Sequence, residues 1–171
     1  MYQSNKLKII KLIESPSSKL LEYLYSLNQE NTPEVGSLND AKSFRKLFGL
    51  SSNSLLIEYK NQVIGFMICF RENSIYDSEN YKFFNDKKKK FLYIDRVVIK
   101  SGFRRIGFGT EIYKYIDEVA SKNFLPICCE VNSMPRNEIS INFHIKNGFT
   151  EVGEKNFLDH SVKYFEKIYI K

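Results

Sequence analysis

Apolar and polar positions along the chain alternate between a two-residue and a 3.6-residue period. Leu7 to Glu14, LKIIKLIE, reads as a first strand. Ser15-Pro16 then opens a helix, because proline fits a first turn and the neighbouring serines can cap it. Leu20, Leu21, Leu24 and Leu27 form the apolar stripe of that helix. Asn28 to Ser37 is a loop by its Asn, Pro and Gly content. Asn39 or Asp40 caps a second short helix that ends near Gly49. The runs SLLIEY and QVIGFMICF flank Lys60-Asn61 and predict a hairpin, with Gly65 marking a bulge or a close backbone approach.

Arg71 to Lys90 interrupts this regularity. Its aromatics Tyr76, Tyr81, Phe83 and Phe84 argue for an ordered insert, and its four-lysine run reads as a solvated turn. Phe91 to Ile99 is a strong strand. It leads into a helix from Gly107 to Asn123 with a face of Phe108, Ile112, Ile116 and Val119. Leu125 to Val131 is another strand. Asn137 to Asn147 is a helix with Asn137 as N-cap and Gly148 as its left-handed stop. FTEVG and VKYFEKIYI are the last strands. The strand, helix, strand unit from Val97 to Val131 predicts a parallel pair with a right-handed crossover. The expected fold class is α/β, with a mixed, mostly antiparallel central sheet flanked by helices. No repeat or linker divides residues 1–171, so one domain is expected.

Composition adds little. The formal net charge of +6 suits an anionic ligand without naming it. No recognition helix or RNA-stacking motif accompanies it, so nucleic acid is not an expected partner. Cys69, Cys128 and Cys129 have no CxxC or His-rich spacing. They read as buried thiols of a reducing cytoplasm, and no metal is expected. The N-terminal segment is too polar for a signal peptide, and no run approaches a membrane span.

The candidate chemistry lies in VVIKSGFRRIGFGTEIY, Val97 to Tyr113, where a strand breaks into a basic loop with two glycines and then a helix. A helix N-terminus offers unpaired amides and the positive end of its dipole. A loop gathering amides there can nest a phosphate, with Lys100, Arg104 and Arg105 adding charge. A plain strand-to-helix turn using glycine for geometry is the other reading. The P-loop string is absent, and Ile112 stands where a dinucleotide fingerprint needs its third glycine.

Arg104, Gly107 and Gly109 fit the [RQ]-x-x-G-x-[GA] signature of the GNAT superfamily of acetyl-CoA-dependent N-acetyltransferases, and the chain resembles that family. Farther on, Asn137, Ser140, Phe143, Lys146, Gly148, Phe149 and Gly153 resemble its second signature. The segments YDSENYKFF, FLYIDRVVI, CEVN with a following proline, and FHIKNGF resemble a little-characterised branch of bacterial acetyltransferases. The resemblance implies a GNAT-like fold with its parallel strand pair at the acyl-CoA site. It implies Val98 and Ile99 beside the pantetheine arm of acetyl-CoA. Arg104, Arg105, Ile106, Gly107, Phe108, Gly109 and Thr110 would surround the diphosphate, and Asn137 would touch the pantetheine end near the thioester.

Acetyl transfer needs an amine freed of a proton, a polarised thioester and a protonated leaving thiolate. Many members of the family use a tyrosine acid where this chain has His144, which shares a helix face with Asn137 and can carry a proton. It can equally be a packed histidine. Glu130 is the base candidate, because alternation in ICCEVN sends Glu130 and Asn132 to the face opposite Cys129 and Val131. Asp95 is the alternative base, and Tyr93, Asp95, Val97 and Ile99 are expected on one strand face. Asn28, Glu34, Tyr81 and Tyr93 are candidates for acceptor binding. The expected activity is direct transfer from acetyl-CoA to a small-molecule or peptide amine. A CoA-binding sensor without turnover is the alternative. Edge strands near the C-terminus leave room for a homodimer.

Overall fold

A computed structural model describes residues 6–170, so Lys171 and the first five residues of the polar N-terminal segment lie outside it. The elements run β1 (Lys8–Leu12), α1 (Ser18–Gln29), α2 (Ala41–Leu50), β2 (Asn53–Tyr59), β3 (Gln62–Arg71), α3 (Glu79–Asn85), β4 (Leu92–Ile99), α4 (Phe108–Ser121), β5 (Ile127–Met134), α5 (Glu138–Lys146), β6 (Thr150–Asn156) and β7 (Ser161–Lys167). The expected order holds, with α3 added inside the insert. The strands form one seven-stranded sheet ordered β1-β2-β3-β4-β5-β7-β6. Among the described strands only β4 and β5 pair in parallel.

Local chemistry explains most of these boundaries. Ser17, Asp40, Ser78 and Asn137 each accept a hydrogen bond from a first-turn amide of the helix they precede. Lys60 and Asn61 both adopt positive φ, 50° and 60°, as a tight hairpin between β2 and β3 requires. A Cβ on Gly65 would lie 2.3 Å from the Val98 carbonyl oxygen, so the close approach inferred from its place in a strand is real.

Two cores lie on opposite faces of the sheet. Leu21, Leu24 and Leu27 of α1, Phe44 and Leu47 of α2, and Tyr81 and Phe84 of α3 pack on Phe66, Phe91, Tyr93, Cys128 and Tyr164. On the other face Phe108, Ile112, Tyr113 and Ile116 of α4 and Ile141 of α5 pack on Leu92, Ile94, Ile127, Cys129 and Phe165. Each fully buried leucine contributes about 1.5–3 kcal/mol. Val119 is half-buried, and the α4 stripe continues through Ala120 instead.

The pairing of β3 with β4 corrects one expectation. It runs Ile68 with Arg96 and then Cys69 with Ile94, leaving Asp95 as an extra residue. This bulge breaks the alternation along β4. Tyr93 therefore belongs to the α1–α3 face, whereas Val97 and Ile99 pack against the α4 core. Asp95 and Arg96, although adjacent, border the same cleft.

Candidate active site

β4 and β5 pair only at Leu92–Ile127, Tyr93–Cys128 and Ile94–Cys129. Beyond these they part, and the first residues past the fork are Asp95 and Glu130. The fork opens on the α1–α3 face into a cleft of about 580 Å³. Thr32 to Ser37, between α1 and α2, form one wall. Tyr76, Ser78 and Asn80 of the insert form a second, and Asp159 and His160 of the β6–β7 turn border a third.

Glu130 lies within this cleft with both carboxylate oxygens engaged. The Tyr93 hydroxyl donates to Oε2 at 2.6 Å, and Asn80 Nδ2 donates to Oε1 at 3.3 Å. Burial, reinforced by the negative Asp95, pushes the Glu130 carboxyl up to about 8, although both donors pull the other way. The same burial, with Glu130 beside it, raises the Tyr93 hydroxyl well above the usual tyrosine range. Asp95 is held differently. It accepts from the Tyr76 hydroxyl at 2.6 Å and from Arg96 Nε at 2.7 Å. Arg96 also donates to Asn28 Oδ1 at 2.8 Å and to the Gly36 carbonyl at 3.2 Å. A buried cation faces Asp95, whereas Glu130 receives only neutral donors.

The loop after β4 makes a single 3-10 turn at Ser101–Phe103 and enters α4 through Gly107, whose φ is 95°. Gly107 caps α4 without a side-chain hydrogen bond, unlike the residues preceding the other four α-helices. A Cβ there would meet nothing within 4 Å. Neither a side-chain cap nor a neighbouring atom fills the space beside Gly107 at the N-terminus of α4, the end of a helix that favours an anion. Arg105, Ile106 and Thr110 are exposed around it, while Phe108 is buried beneath. Arg104 is tied back to the fold. Its Nε donates to the Ile99 carbonyl at 2.8 Å, and its guanidinium bonds Asn31. Val98 is buried, and Asn137 Oδ1 accepts from the Ser140 amide at 3.1 Å as the cap of α5.

His144 lies on the other face, buried among Tyr113, Phe143, Phe149 and Phe165. Its Nδ1 is 2.7 Å from the Ser140 carbonyl, which can only accept, so Nδ1 carries the hydrogen. Its Nε2 then accepts from the Tyr113 hydroxyl at 2.8 Å. Burial lowers the imidazole below its ordinary value, which keeps this neutral form.

The structure therefore brings Glu130, Asp95 and Glu34 to the cleft, keeps Tyr93 fully buried behind Glu130, and leaves three other candidates apart. Asn28 is fully buried and supports Arg96. Tyr81 is buried under the insert, where its hydroxyl donates to the Arg71 carbonyl at 2.8 Å. His144 is enclosed. Sequence reasoning missed Asn80, Tyr76, Arg96 and His160. For Asn80 the capping Ser78, followed by Tyr81 and Phe84, offered a short capped turn but too few residues for a clear period, and Tyr76 precedes that helix and had no such signal. Arg96 depends on a bulge and His160 on a hairpin turn, and neither placement shows in spacing. Among the described residues no cluster of three or more His, Cys, Asp and Glu is able to hold a metal, and no helix is long and apolar enough to cross a membrane.

A family model described as Acetyltransferase (GNAT) family matches residues 21–149. No curated protein matches the sequence significantly. Among solved structures, Arabidopsis thaliana Naa50 in complex with the bisubstrate analogue CoA-Ac-MVNAL superposes with a TM-score of 0.69 at 20% identity, covering 95% of this chain and 99% of that one. The Escherichia coli ribosomal-protein-S18-alanine N-acetyltransferase gives 0.69 at 13% identity, covering 95% and 94%. A GNAT family acetyltransferase from Elizabethkingia anophelis with acetyl-CoA bound gives 0.66 at 12% identity, covering 97% and 99%. At such identities these likenesses show the shared fold.

Proposed function

The chain belongs to the acetyltransferase (GNAT) family, and from that premise we propose that it transfers an acetyl group from acetyl-CoA directly to a primary amine with both substrates bound. The observation that carries this reading is Glu130. It is a carboxylate at the β4–β5 fork, open to a cleft and pushed up to about 8. Near pH 7 such a group is about one-tenth ionised and matched to taking a proton from an ammonium group.

The amine loses one proton to Glu130 and its nitrogen attacks the thioester carbonyl. A tetrahedral intermediate forms and collapses with cleavage of the C–S bond. The second nitrogen proton leaves as the amide forms, and the CoA thiolate takes up a proton. The products are an N-acetyl amide, CoA thiol and one proton released through Glu130. Asp95 is paired with Arg96 and shapes the cleft. His144 has no free N–H to give the thiolate while Tyr113 and Ser140 hold it, so we assign it to the fold and the thiolate's proton to water.

The N-terminus of α4, without a side-chain cap, with Gly107 at positive φ, and with Lys100, Arg104 and Arg105 close in sequence, supports diphosphate binding there. The unpaired edge of β4 from Asp95 to Ile99 supports a place for the pantetheine arm, because strand groups beyond the fork lack a β5 partner. The bisubstrate analogue of Naa50 joins CoA through acetyl to a peptide, which supports a peptide or small-molecule amine as acceptor. The free buried cysteines support a reducing, cytoplasmic setting. One sheet spanning residues 8–167 supports a single catalytic domain.

The test is CoA release from acetyl-CoA across a panel of peptide and small primary amines, with Glu130→Gln beside the parent chain. Release that needs an amine and falls in the variant supports the reading. Tight acetyl-CoA binding without release on any amine supports a CoA-binding module instead.

A further inference from the structure

Glu130 reaches the cleft from β5, but the groups that orient it come from elsewhere. Tyr93 belongs to the adjacent strand. Asn80 belongs to the insert, on the second residue of α3, fifty positions away in sequence. Its own geometry is over-determined. Ser78 caps α3 through the Tyr81 amide, and Tyr81 and Phe84 anchor the helix in the core. The Tyr164 hydroxyl donates to Asn80 Oδ1 at 2.9 Å. Tyr164 is itself fully buried and stacked on Phe83 at 3.9 Å between ring centres.

With Oδ1 occupied by Tyr164, the Asn80 amide can present only Nδ2 to Glu130. When Glu130 is ionised, the reverse orientation would set a carbonyl oxygen against a carboxylate, two acceptors with no hydrogen between them. We infer that Asn80 is a positioning residue for Glu130: by one donated hydrogen bond it fixes the carboxylate in the cleft and ties its orientation to the folding of the insert. The inference rests on Glu130 being the base.

The network suits a group that must gain and lose a proton. The Tyr93 hydroxyl donates to the carboxylate and, rotated, accepts from the carboxylic acid. The Asn80 bond favours the charged form, because a donor stabilises an anion more than a neutral acid. The other titratable groups near Glu130 are Asp95 with its Arg96 and Tyr76 partners, Tyr164 of β7, Asp159 and His160 of the β6–β7 turn, and Glu34 of the α1–α2 loop. Asp95 opposes ionisation, and Asn80 and Tyr93 counter it.

The direct test uses the ligand-free chain, since no acceptor need be known. The side-chain carboxyl of Glu130 is titrated by carbon-13 NMR, its resonance assigned by loss in Glu130→Gln. Asn80→Ala should raise the midpoint by about one pH unit, the scale of one hydrogen bond to a charged group. Tyr164→Phe, which frees the Asn80 amide to turn without deleting it, should raise it less. It also keeps the test valid should Asn80→Ala fold poorly. On whichever amine of the panel turns over, the acidic limb of kcat/KM should move with the NMR midpoint, while acetyl-CoA affinity stays constant. An unmoved midpoint in both variants, with Glu130→Gln inactive, overturns the positioning role alone. A Glu130→Gln chain that turns over at the parent rate overturns the base assignment and this inference with it.

Discussion

The two faces of the sheet handle a buried titratable group in opposite ways. On the α1–α3 face Glu130 borders open space, and it is held by a hydroxyl able to adapt to either protonation state and by one amide donor. On the α4–α5 face His144 is enclosed by rings, and its two nitrogens are committed to one acceptor and one donor. Burial neutralises both, raising the carboxyl and lowering the imidazole. Neutrality at pH 7 is therefore no mark of chemistry by itself. What separates the two is access: one group can exchange its proton with a ligand in the cleft, and the other cannot without breaking the packing around it.

The strongest way to break this contrast is Glu130→Gln. The amide is nearly the same size and still accepts from Tyr93, but it takes no proton. Turnover should fall by about 10²- to 10⁴-fold, the usual range for a lost general base, with acetyl-CoA affinity unchanged. In the parent chain kcat/KM should rise with pH and level off above about 8, and this limb should vanish in the variant. Stability has the opposite sign. The folded carboxyl binds its proton more tightly than the unfolded chain, whose value is 4.5. Its contribution is full below that value and is lost as pH rises toward about 8. Thermal melts across this window should show the parent losing stability with pH relative to Glu130→Gln.

The next test concerns the helix side, where donor binding rather than proton transfer is at stake. Gly107 and Gly109 belong to one motif but do different things. Gly107 has φ of 95° and open space beside it, whereas a Cβ on Gly109 would make an ordinary 3.7 Å contact with the Phe143 ring. Gly107→Val should weaken acetyl-CoA binding at least tenfold, about 1.4 kcal/mol, by projecting into the anion's space and straining the turn. Gly109→Ala should change affinity less. Calorimetric titration of folded variants reads both, and equal affinities across the three chains would remove the diphosphate nest from α4.

These two sides also differ in how far the sequence exposes them. The donor loop is contiguous, so its strand, basic turn, glycines and helix can be read in one line from Val97 to Tyr113. Capped helices, the Lys60-Asn61 hairpin and the parallel pair are legible for the same reason, since each follows from neighbours within a few residues. The cleft is assembled from five separate segments. Glu130 is visible through the alternation of β5 and Tyr93 as a candidate on β4, but that Tyr93 and Asn80 hold Glu130 is not. Asn80 arrives through a short helix whose seven residues are too few for a clear period. Asp95 and Arg96 reach the same cleft through a bulge that strand alternation by definition misses. Asn28 and Tyr81 show the converse. The sequence reading sets both in loops, but Asn28 lies in α1 and Tyr81 in α3, and each buries its side chain in the fold rather than in the cleft.

The smallest expected effect on activity, and the one that most sharpens the contrast, belongs to His144. Its place in the second signature makes it a natural candidate for the acid that protonates the leaving thiolate. Its surroundings argue otherwise. Nδ1–H is held by the Ser140 carbonyl, and Nε2 is the acceptor for Tyr113. Donating a proton would require breaking the Ser140 bond or charging a ring that burial keeps neutral. His144→Phe fits the aromatic cage but leaves the Tyr113 hydroxyl without its acceptor, so stability should fall by about 1–3 kcal/mol. Turnover under saturating substrates should stay within about threefold of the parent, because a true general acid contributes 10²-fold or more. His144→Gln, whose amide oxygen can accept from Tyr113, should recover part of the lost stability. Denaturant melts and the pH profile of kcat separate the two roles. A basic limb that disappears in His144→Phe, with chemistry shown to be rate-limiting, would return the acid to His144 and require the cage to open during the reaction.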